Sequence, residues 1–158
     1  MALSIKKVDV WAGELRDIPG GLADVLGGLS DAGGDFQFVI ARRDPANPGS
    51  GQVFITPIKG KKVEQAAAGV GMNRADAVPT LRVEGGDRPR LGHEMARSIA
   101  EAGINIRGFS AAVIGNKFVA YIGFDSQQDA DRAASALKSA GRTGSRRKPA
   151  AKSRRTRR

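Results

Sequence analysis

Two short stretches carry the residues best suited to meet a small charged molecule. Asp17-Ile18-Pro19-Gly20-Gly21-Leu22 and Asp87-Arg88-Pro89-Arg90-Leu91 each place an acid two positions before a proline, where a helical pattern begins. Proline suits the start of a helix. A helix start presents unpaired backbone N–H groups and the positive end of the helix dipole, which favour an anion such as a carboxylate. Gly20 and Gly21 allow a close backbone approach. Each feature also has a plainer use: an Asp before a Pro turns or caps a chain entering a helix, and paired glycines make a permissive turn.

Residue types that would support bond-breaking chemistry are sparse. There is no cysteine, so neither a thiolate nucleophile nor a disulfide framework is available. His93 is the single histidine, and a metal site needs several ligands. No phosphate loop of the Walker type and no Gly-x-Ser-x-Gly occurs, and the pairs Gly20-Gly21, Gly27-Gly28 and Gly33-Gly34 lack dinucleotide-site spacing. The reading is a binding protein rather than an enzyme, with no metal and no cofactor.

The elements that position these stretches follow from periodicity. Residues 5–12 alternate as a strand, with Val8, Val10 and Ala12 on one face and Lys7, Asp9 and Trp11 on the other. Leu22, Val25, Leu26 and Leu29 repeat at helical spacing until Gly33-Gly34. Phe36, Phe38 and Ile40 mark a second strand, residues 44–51 a loop of breakers, and Gln52 to Ile58 a third strand. Val63, Ala66, Ala67 and Val70 form a second helix face.

The order then recurs about 70 residues on. Leu81 and Val83 mark a strand, and Leu91, Met95, Ile99 and Ala102 a helix face. A strand follows from Ile104 to about Ile114, then a tight Gly115-Asn116 turn, a returning strand to Phe124, and a helix face of Ala130, Ala133, Ala134 and Leu137. A long self-similar period means one small unit used twice. The expected class is α+β: two ferredoxin-like βαββαβ units with antiparallel sheets and helices on one face. The expected boundaries are 1–77 and 78–141, with 142–158 as a basic tail. Residues 76–78 are the candidate closing strand of the first unit.

The combination Asp-x-Pro, apolar helix, Ala-Gly and then Ile104-Asn105-Ile106 resembles the ACT domain, a small regulatory ligand-binding module. The family pattern runs Asp-Arg-Pro-Gly-Leu, then a helix, then Gly-Ile-Asn-Ile. The second half matches with Arg90 in place of the glycine; the first keeps Gly20 but has Asp35 where the second has Asn105. The resemblance implies that two such domains pair edge to edge into one sheet. It implies ligands, most often amino acids, between the first strand–helix loop of one domain and the second strand of its neighbour. On that footing Asp17 to Leu22 would face Asn105, and Asp87 to Leu91 would face Asp35. Asn105, Asp17, Asp35 or Asp87 would take the ligand's ammonium group. A homodimer is the expected assembly.

A second possibility rests on charge. The chain has 158 residues and a net charge of +10, but residues 142–158 hold seven Arg, two Lys and no acid. The remainder carries 17 basic and 16 acidic residues and is near neutral. The tail is expected to be disordered, since it has little apolar to bury and its charges repel. Arg142, Arg146, Arg147, Lys148, Lys152, Arg154, Arg155, Arg157 and Arg158 would bind nucleic-acid phosphates non-specifically and in a salt-dependent manner. No export signal or membrane span is evident, so a cytoplasmic location without membrane contact is expected.

Overall fold

The computed structural model describes residues 3–74 and 77–144, with side chains described as far as 141. Its first half is β1 (Ser4–Arg16), α1 (Gly21–Asp31), β2 (Phe38–Arg43), β3 (Ser50–Thr56) and α2 (Lys61–Gly69). Its second half is β4 (Val78–Gly86), α3 (Leu91–Glu101), β5 (Gly108–Ile114), β6 (Lys117–Gly123) and α4 (Gln127–Gly144). The class is α+β and every strand pairing is antiparallel. Both first helices stop in the same way. Gly33 and Gly103 take positive φ, and the next N–H groups, of Gly34 and Ile104, donate back to the Leu29 and Ile99 carbonyls.

The six strands form one sheet in the order β2-β3-β1-β4-β6-β5. This corrects the candidate closing strand of unit one at residues 76–78. Val78 does not end unit one; it opens β4, the first strand of unit two. Asp76 lies outside the described residues. Each unit instead borrows the other's first strand. β1 pairs with β4 over Ser4 to Val10, then passes to β3 over Trp11 to Arg16. The cores show the same exchange: Leu3 and Ile5 pack into unit two's core, while Ala77 packs into unit one's. Lys7 on β1 also bonds to Asp131 on α4 at 2.6 Å.

The faces of β1 differ from the simple alternation expected. Trp11, from the polar-looking face, is buried in the helix-side core of unit one with Leu29, Val53 and Ile55. Val10 faces away from the helices yet is only 4% exposed. The central strand is therefore covered on both sides. The cover for Val10 comes from curling of the sheet. Phe38 and Tyr121 lie on strands four places apart in the order, but their rings stack with centroids 4.3 Å apart. Arg82 of β4 donates to Gln37 Oε1 at 2.9 Å beside them. The helix-free faces of the two units thus approach one another, with the helices outside.

Two smaller boundaries also move. β5 starts at Gly108, later than the Ile104 start expected, because Ile104 to Ile106 still belong to the connection that leaves α3. α4 continues to Gly144, so the boundary drawn at 142 falls inside a helix and Arg142 belongs to its last turn. Arg146, Arg147, Lys148, Lys152, Arg154, Arg155, Arg157 and Arg158 lie outside the described residues.

Candidate ligand-binding site

The first strand–helix loop is drawn against its own hairpin. The Asp17 N–H donates to Gly49 O at 3.0 Å, and its carboxylate accepts from Arg43 Nε at 3.0–3.1 Å. Ile18 and Pro19 are exposed, Gly20 takes a left-handed φ of 86°, and α1 begins at Gly21. Gly21 is buried so tightly that a Cβ there would lie 2.2 Å from the Arg16 carbonyl oxygen. Leu22 packs into the unit's core. Asp17 is therefore a hairpin tie, and no side chain caps α1.

The second loop repeats this geometry with other residues. The Asp87 N–H donates to Asn116 O at 2.8 Å, in the adjoining hairpin. Arg90 stands at the position of Gly20 and takes φ 71°, a conformation that costs a residue with a side chain. Leu91 replaces Gly21 and is buried. α3 also lacks a side-chain cap. Arg88 donates to Glu94 at 2.6 Å, which holds the Glu94 carboxyl below its ordinary range and raises the guanidinium's own value. Pro89 is exposed, as are Asp35 and Asn105, which follow the two helix stops.

Sheet order decides what these loops can reach. The units join through their first strands, so the second strands, β2 and β5, lie at the two outer edges. One link nevertheless runs from the first loop to unit two. Arg43, the partner of Asp17, lines a cavity of 420 Å³ between the helix-free faces, to which unit two contributes Arg107 to Ser110. Among the described residues, no hydrogen bond or ion pair joins the second loop to Asp35.

That cavity involves residues that reading the sequence did not single out. Phe38, Ile40 and Arg42 alternate onto the helix-free face of β2, and Phe54 lies beside them on β3. Phe36 packs against the core of unit one, whereas Phe38 and Phe54 line the cavity. The signal was present in the alternation Phe38-x-Ile40-x-Arg42. Its meaning depended on the sheet curling over, which local spacing does not encode. Tyr121 lines this cavity and also a second hollow of 340 Å³.

No family model and no curated protein matches the chain. Solved structures do match. A protein of Bacteroides thetaiotaomicron superposes with a TM-score of 0.69 at 13% identity, over 85% of this chain and 89% of that one. The ligand-free regulatory subunit of aspartate kinase from Thermus thermophilus superposes with a TM-score of 0.61 at 17% identity, over 89% of this chain and 97% of that one. The chain has the ACT fold. The corresponding subunit from Thermus flavus gives a TM-score of 0.58, again at 17% identity and over 89% of this chain and 97% of that one. At such identities the likeness is one of fold.

Proposed function

We propose that this chain is a non-catalytic regulatory protein whose two ACT units bind a small metabolite of the amino-acid class at their interface. The observation that carries the reading is the state of the two helix starts. An Asp stands three residues before each N-cap, yet neither α1 nor α3 is capped by a side chain. Uncapped N–H groups at a helix start are suited to a carboxylate. The likeness in fold to regulatory subunits of aspartate kinase from two Thermus species supports a regulatory role.

Of the two loops, the first is the better site. Gly20 places no side chain at the N-cap of α1, and Arg43, the partner of Asp17, leads toward the strand that Asn105 precedes. At the second loop, Arg90 takes the N-cap position of α3, and Arg88 pairs with Glu94 in the first turn. The exposed outer strands β2 and β5 leave room for a second copy, which would bring a neighbour's second strand to each loop; a homodimer is the proposed assembly. Thermal unfolding with each common amino acid tests the reading. A ligand at a hundredfold excess over its Kd stabilises by about 2.7 kcal/mol. No stabilisation by any of them would refute this function.

A further inference from the structure

The geometry points to a second site, independent of the loops: the cavity between the helix-free faces binds an organic oxyanion with a flat apolar body. Its walls supply both halves of such a ligand. The stacked pair Phe38 and Tyr121, with Phe54, gives an apolar aromatic surface. Arg42 and Arg107 line the cavity as well and supply two guanidinium groups. Among the described residues, neither has an ion pair. The volume of 420 Å³ lies within the range of small-molecule sites, roughly 300–1,000 Å³.

The same walls discriminate against a zwitterion. Asp44 is the one acid lining the cavity, and its carboxylate is already taken by Asn47 Nδ2 at 2.8 Å and the Ala46 N–H at 3.0 Å. These bonds hold it below the ordinary carboxylate range. An ammonium group would meet guanidinium groups and find no free carboxylate. Arginine is well matched to both carboxylates and phosphates, so the shared chemistry is the oxyanion.

Calorimetric titration of the full chain tests the site, with phenylpyruvate and phenyl phosphate as separate probes. Saturable binding of either is expected, and the tighter of the two names the anion. Phenylalanine should bind this cavity at least about tenfold more weakly than phenylpyruvate. Arg42→Ala and Arg107→Ala should each weaken binding by about tenfold, the loss of one charge-assisted hydrogen bond. Gly108→Leu should block the cavity, because a Cβ at Gly108 meets no atom within 4 Å and the glycine lines the space. Gly20→Arg, at the loop, should leave this binding unchanged, which separates it from the amino-acid site. Both arginines are exposed, so their variants should keep the wild-type melting temperature and remain decisive if Gly108→Leu fails to fold. Failure of both probes to bind, or binding undiminished in both arginine variants, overturns the proposal.

Discussion

Unit one closes its strand–helix turn with Gly20, and unit two closes the same turn with Arg90. Both residues take a left-handed backbone, at φ 86° and 71°. The turn is thus held by its surroundings, by the hydrogen bond to the neighbouring hairpin and by the helix that follows, and not by glycine alone. What differs is the side chain at the N-cap. In unit one nothing would touch a Cβ at Gly20. In unit two an arginine occupies that position. The next position differs in the opposite sense: Gly21 presses against Arg16 O, whereas Leu91 fills its pocket. One scaffold has been kept twice and two different loops set on it.

Exchanging residues between the copies tests this comparison, and the largest effect is expected at the buried position. Leu91→Ala should cost about 2–5 kcal/mol by denaturant unfolding, since it opens a cavity in unit two's core. Gly21→Ala should cost roughly 1–3 kcal/mol, because the carbonyl in its way is backbone and yields poorly. A neutral Gly21→Ala would show that the two loops are less distinct than described.

Smaller changes are expected at the left-handed position. Gly20→Ala should destabilise by about 1 kcal/mol, while Arg90→Gly should stabilise by up to about 1 kcal/mol as strain is relieved against greater unfolded-state freedom. Opposite signs at matched positions would be the signature of a shared turn. A loss of stability in Arg90→Gly would mean that the arginine makes up for its strain elsewhere.

The smallest effect concerns acid. Hydrogen bonding to Arg88 lowers the Glu94 carboxyl from its ordinary 4.5 in the folded chain. The folded value is below the unfolded one, so the stabilisation is complete above the unfolded value and is lost as pH falls through the folded value. Glu94→Gln should therefore flatten the decline in melting temperature below about pH 4.5. An unchanged acid limb would show that the exposed pair contributes nothing measurable.

Much of this fold was readable from local patterns. Leu22 to Leu29 and Leu91 to Ile99 announce their helices, Gly33 and Gly103 end them, and Gly115-Asn116 marks the tight hairpin. The arrangement of the sheet was not readable. That β1 divides its length between β4 and β3 depends on pairing between residues about 70 positions apart, such as Val8 with Thr80. The burial of Val10, and the cavity lined by Phe38 and Arg42, follow only once the sheet curls. Asp17 shows the same limit at the site. Its spacing from Pro19 suits a cap, but Arg43, 26 residues away, draws it aside.

On the proposed function, the open loop of unit one is the amino-acid site and the loop of unit two is not. Calorimetric titration of a stabilising amino acid into the wild type, Gly20→Arg and Arg90→Gly tests it directly. One site per chain is expected in the wild type, with loss of that site in Gly20→Arg and its retention in Arg90→Gly. Binding that survives Gly20→Arg but disappears in Arg90→Gly would contradict it.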